Sequence, residues 1–218
     1  HGGDLADALA RVGVPWKVTQ LSHKPFPSGR VTHGVIHTLR QLRQAWGLDA
    51  GNALQRVRAM RVELPPLGMR LVGRPMVHQP APNYARLCVP YVAAAELLFG
   101  GVDPTSFTRE RLDDAAAETL ARRVVTAEKP HPNPNAFYPQ TLQLELDDGQ
   151  CIVREIPYAW GHPNLPMTAT EREDKFRLCW RLTRPRDERS EANLEQAIAW
   201  LNALPQAADV SPLFDLLR

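Results

Sequence analysis

The densest group of side chains able to do chemistry is the run HKPFPSGRVTH at residues 23–33. Pro25 and Pro27 restrict the backbone around Lys24, and Ser28-Gly29 completes a turn that leads to Arg30. An ammonium and a guanidinium held close together suit a carboxylate, which the planar fork of arginine takes through two hydrogen bonds. His33, at the start of the next element, can bind a carboxylate or move a proton near neutral pH. If that element is a helix, its first amides add anion affinity without further charge. Each residue also has a plainer reading. Lys24 can be a solvated turn lysine, Arg30 a surface residue at a helix entry, and His33 a capping or core histidine.

Other reactive groups carry less. His23 reads as structural, His131 and His162 lie among prolines, and Asp147-Asp148 precedes Gly149 as turn chemistry rather than as a carboxylate pair. Cys88, Cys151 and Cys179 lie far apart with no ligand spacing, so each is expected to be a small buried apolar residue in a reducing compartment. No GxGxxG, Walker or HExxH pattern is present, and neither a metal nor another cofactor is expected. The 26 Lys and Arg against 24 Asp and Glu are interspersed, which argues against a nucleic-acid face. No apolar run reaches the roughly 18 to 20 residues of a membrane span, and a cytoplasmic location is expected.

These groups need elements to position them. The stretch 14–23 reads as a short strand entering the proline-rich turn. Val35, Ile36, Leu39, Leu42 and Trp46 recur at helical spacing and predict an amphipathic helix over Thr32–Trp46. Alternation predicts a strand over Arg56–Leu64, and the apolar, alanine-rich run Leu87–Phe99 predicts a buried helix. A polar helix is expected over Thr108–Val124 and a surface loop over Lys129–Pro139. A hairpin of Gln140–Leu146 and Gln150–Ile156 is expected around Asp147-Asp148-Gly149. Two more helices are expected over Thr168–Leu182 and Ser190–Leu204, with Thr168 and Ser190 as caps. The order suggests an α+β module, an antiparallel sheet with helices on one face, followed by a helical remainder.

Four ordered segments resemble the MmgE/PrpD family, the family of 2-methylcitrate dehydratase. They are HKPFPSGRVTH at 23–33, LCVPYVAAAELLFGG at 87–101, the strand ending in Gly149, and GHPNLPM at 161–167 with Asp174-Lys175-Phe176. The sequence departs from the pattern at Gly29, where the family often has Cys or Ser, and at Cys88, which replaces a common Ser.

The resemblance implies that the chain is the carboxyl-terminal part of a longer, cofactor-independent lyase. Residues 1–162 would form mostly a small α+β lid domain and 163–218 a helical segment. The helix near 87–99 and the last helices would pack on a missing amino-terminal helical domain, in a homodimer. The implied substrate is a small di- or tricarboxylate, which loses a proton beside a carboxylate and then water. Lys24, His33 and Tyr91 are the implied catalytic residues, Tyr91 facing the same cleft, with Arg30 and Ser28 binding substrate. Epimerase or decarboxylase chemistry needs the same carboxylate clamp and stays open. So does a different class, a non-catalytic anion-binding or oligomerisation module.

Overall fold

A computed structural model describes residues 4–14 and 16–216. The chain divides into two compact units, His1–Pro166 and Met167–Arg218. The first contains α1 (Leu5–Ala10), α2 (His33–Ala45), α3 (Ala53–Arg56), β1 (Val57–Leu64), α4 (Pro66–Val72), α5 (Pro82–Ala85) and α6 (Val89–Leu98). It continues with α7 (Arg109–Leu112), α8 (Ala115–Ala121), β2 (Val124–Glu128), β3 (Gln140–Leu146) and β4 (Cys151–Ile156). The second unit holds α9 (Ala169–Thr183), α10 (Glu188–Asn202) and α11 (Ser211–Leu216).

The fold is α+β, as the order of elements predicts. The four strands lie in the order β2-β1-β3-β4. Alternation puts Met60, Val62 and Leu64 of β1 on the same face as Leu142, Leu144 and Leu146 of β3, and all six are buried. Arg61, Glu63, Gln143 and Glu145 point the other way and are exposed or half-buried. The β3–β4 turn closes with Gly149 at φ +84°, a conformation that favours glycine. The sheet is mixed rather than antiparallel throughout, because β1 and β2 are parallel. The helices between them supply the crossover that a parallel pair requires.

Helix α6 packs against α2, α8 and β2, and every residue from Val89 to Leu98 is buried. Within unit 1 the residues Val89–Leu98 of the run expected to be a buried helix are enclosed. The charge it buries, Glu96, meets Arg40 and Arg43 of α2 at 3.3 and 3.6 Å. That ion pair joins the two helices on which the site is built.

Several local expectations change. The described residues of 14–23 form no strand but a 3-10 turn at Lys17–Gln20 followed by extended chain. The helix expected over 108–124 breaks at Asp113-Asp114, where the Asp114 carboxylate accepts the Ala117 N–H at 2.8 Å and starts α8; Val124 then opens β2. In unit 2, Thr168 caps α9 through a reciprocal pair with Glu171. Asp187 caps α10 by accepting the Ser190 N–H at 2.7 Å. The Ser190 hydroxyl instead accepts the Trp180 indole N–H at 3.0 Å, inside an apolar cluster of Trp180, Leu194, Ala197 and Ile198. Cys88 is buried, and burial pushes its thiol up to about 11, whereas Cys151 and Cys179 are exposed.

Candidate functional site

The turn at residues 23–29 is held from three sides. Proline has no N–H, so this backbone cannot support itself by a ladder of its own. Its ends are tied outward instead: the His23 N–H donates to the Gly161 carbonyl at 2.9 Å, and the Gly29 N–H to the Arg86 carbonyl at 2.8 Å. Between them Phe26 is buried, with ring centroids 5.5 Å from His33 and 5.4 Å from Trp160. The Arg40 guanidinium lies 4.9 Å from the Phe26 ring centre, a cation–π contact, and Arg40 is itself anchored by Glu96. The turn is thus clamped while the Lys24 side chain projects from it, exposed.

Lys24 lines a surface cleft of about 360 Å³ together with Pro27, Ser28 and Gly29 of the turn. The opposite wall comes from Asn83, Arg86 and Leu87, at the end of α5 and the entry to α6. Two walls can approach this closely because Gly29 lacks a Cβ, which would stand 2.8 Å from Leu87 Cδ2 and 3.1 Å from Val72 Cγ1. The cleft carries two cationic side chains and no carboxylate among its lining residues. The charge of such a lining suits a small anion.

The sequence candidates do not all converge here. Lys24 and Ser28 line the cleft, although the Ser28 hydroxyl is 2.8 Å from that of Thr32, which donates to the Gly29 carbonyl at the same distance. His33 is fully buried beneath the turn, with Nε2 3.3 Å from the Ser28 carbonyl oxygen. It supports the turn and is screened from the cleft. Arg30 is exposed but is not among the residues lining the cleft. Its carbonyl accepts the Tyr138 hydroxyl at 3.3 Å, and its charge, after burial, helps hold His162 below the usual histidine range. Tyr91 departs furthest from the sequence expectation. It is fully buried, donates its hydroxyl to the Ser106 carbonyl at 2.5 Å and packs against Phe107. Burial pushes its phenol above the usual tyrosine range. Tyr91 does not line this cleft; it is a core residue of unit 1.

Arg86 and Asn83 were missed by the sequence reading, which left residues 65–86 without an assigned element. The signal in the sequence was an arginine directly before the LCVPY run, at the point where α5 turns into α6. Among the described residues, no group of three or more His, Cys, Asp or Glu side chains is arranged to hold a metal ion. No described helix is long and apolar enough to cross a membrane.

Comparison with known families finds that the MmgE/PrpD C-terminal domain matches residues 26–199. The matched span begins at Phe26, two residues after Lys24, and takes in Pro27, Ser28 and Gly29, the Asn83–Leu87 side of the cleft, α9 and most of α10. A search of curated proteins finds no match.

Proposed function

Because this chain belongs to the MmgE/PrpD family through its C-terminal domain, we propose that it forms one wall of a carboxylate-binding active site in a lyase that removes water from a small di- or tricarboxylate. The observation that carries the reading is the exposed Lys24 on a clamped turn, lining a cleft without acidic residues. Abstraction of a proton beside a carboxylate builds negative charge on that carboxylate. A preorganised ammonium next to it stabilises the transition state more than the ground state. The clamp matters because a lysine on a loose loop loses much of that benefit in reorganisation.

The acid and base are a separate question. His33 and Tyr91 are both buried away from the cleft, so the groups that move protons are assigned to the remainder of the active site, outside this chain. The same observation favours a second reading, in which the chain alone binds polycarboxylates without turning them over. The two are separated by steady-state elimination of water from 2-methylcitrate, measured on the protein that carries this chain and on the chain by itself. In the active protein Lys24→Met is expected to lower kcat by roughly 100-fold to 1,000-fold, as loss of one charge-stabilising donor does. Unchanged kcat and KM in a folded variant would remove Lys24 from the site. Activity of the chain alone would instead refute the assignment of the proton-moving groups elsewhere.

A further inference from the structure

We propose that Arg86, oriented by Asn83 and Phe107, is a second anion post in the Lys24 cleft, so that the cleft selects ligands bearing two carboxylates over ligands bearing one. The inference rests on the carboxylate reading of Lys24 and adds a residue that the sequence motifs did not point to.

The main chain of Arg86 is fixed on both sides of its Cα. Its N–H donates to the Pro82 carbonyl at 3.0 Å, and its carbonyl accepts the Gly29 N–H at 2.8 Å. The second bond ties Arg86 directly to the turn that carries Lys24, so the two cations belong to one braced structure. The side chain is held as well. Its guanidinium lies 5.1 Å from the centre of the Phe107 ring, and one Nη donates to Asn83 Oδ1 at 3.1 Å. A guanidinium has five N–H donors, and the bond to Asn83 uses one. A face laid on an aromatic ring leaves the edge of the fork to bind a carboxylate, and ordering it in advance reduces the entropy lost on binding.

The lining of the cleft holds two cations, Lys24 and Arg86, and no carboxylate. Lys24 belongs to the turn side of the cleft and Arg86 to the α5–α6 side, and the two sides meet where Gly29 faces Leu87. Two like charges on a shared cleft repel one another when it is empty. An anion that reaches both gains attraction from each, whereas an anion that reaches only one gains it from a single post. The volume of about 360 Å³ fits a molecule of citrate size, at the small end of ligand sites.

The test is a citrate titration of the 218-residue chain, followed through backbone amide shifts, with acetate as the single-carboxylate probe at matched ionic strength. Wild type is expected to bind citrate more tightly than acetate, with the Gly29 and Arg86 amides moving. Arg86→Gln should weaken citrate by about tenfold, the loss of a charged hydrogen-bonding partner, and leave acetate affinity nearly unchanged. Arg86→Lys should fall between, because it keeps the charge and loses the fork; it also carries the test if the glutamine variant does not fold. Citrate affinity that survives Arg86→Gln but is lost in Lys24→Met would overturn Arg86 and leave Lys24 standing. Acetate binding as tightly as citrate in wild type would overturn the two-post arrangement. No citrate-dependent shift at Gly29 or Arg86 would overturn the cleft as an anion site altogether, and the Lys24 reading with it.

Discussion

Gly161 is where the coupling between distant parts of the chain can be measured most directly. It has φ +87°, and a Cβ there would stand 2.5 Å from the His23 carbonyl oxygen, 3.2 Å from its carbon and 3.3 Å from Pro25 Cδ. The nearest of these is backbone, which cannot rotate away as a side-chain end can. Gly149 supplies a matched control: its φ is +84°, and a Cβ there would meet nothing within 4 Å. Gly149→Ala therefore reports the left-handed backbone penalty alone, about 1 kcal/mol. Gly161→Ala adds the cost of pushing His23 off its place, about 1–3 kcal/mol by analogy with overpacking, for a total of roughly 2–4 kcal/mol. Since the chain has two compact units, a single unfolding midpoint would mix them. Hydrogen exchange of the slowest β1 and β3 amides reads the opening free energy of unit 1 by itself. Equal losses in the two variants, within about 0.5 kcal/mol, would show that the close approach at His23 carries no weight. The displaced His23 should also disturb the neighbouring Lys24, so citrate affinity should fall in Gly161→Ala and hold in Gly149→Ala.

Two further outcomes follow from the buried polar groups. Tyr91→Phe removes the donor to the Ser106 carbonyl and should lower the same exchange free energy by about 1–2 kcal/mol; loss of activity with no loss of stability would return Tyr91 to the site. Burial raises the Glu96 carboxyl above its ordinary 4.5 despite Arg40 and Arg43. The folded state therefore holds its proton to higher pH than the unfolded state does. The stability of wild type relative to Glu96→Gln should be greatest below that ordinary value and fall as pH rises from it to the folded value. A difference that grows with pH in urea unfolding would mean that the arginines outweigh desolvation.

Much of the architecture was legible because it rests on local rules. The alternation of β1 and β3, the Asp-Asp-Gly hairpin, the apolar α6 and the Thr168 cap each follow from a few neighbouring residues. What was not legible depended on tertiary partners. Val124-Val125-Thr126 follows a helix and looks like its last turn, until β1 offers it an edge to pair with. The stretch before the turn alternates like a strand, but the described residues there pair with no sheet. The site divides in the same way. Lys24 stands in a contiguous motif, whereas Arg86 reaches the same cleft through a backbone bond across the fold that no local pattern shows. Tyr91 and His33 were placed at the cleft by motif; each lies within a few residues of the cleft lining in sequence, and sequence proximity does not reveal which way a side chain faces.

The segments that carry the family resemblance are specific for a reason the fold makes plain. A turn with prolines at 25 and 27 must borrow its support, and the two borrowed acceptors are Gly161, in the GHPNLPM segment, and Arg86, directly before the LCVPY segment. Phe26 then packs on Trp160, next to Gly161, and on His33, which opens α2. Three motifs far apart in sequence are therefore one brace around Lys24, and the helices between them need only bury apolar surface. The brace also explains the departure at Gly29. A Cβ there meets the end of the Leu87 side chain at 2.8 Å, so the Cys or Ser common in the family fits only with a smaller or rotated residue at 87. Here the pair is solved the other way: Leu87 is large and residue 29 has no side chain, so the turn and the α5–α6 junction meet in close contact.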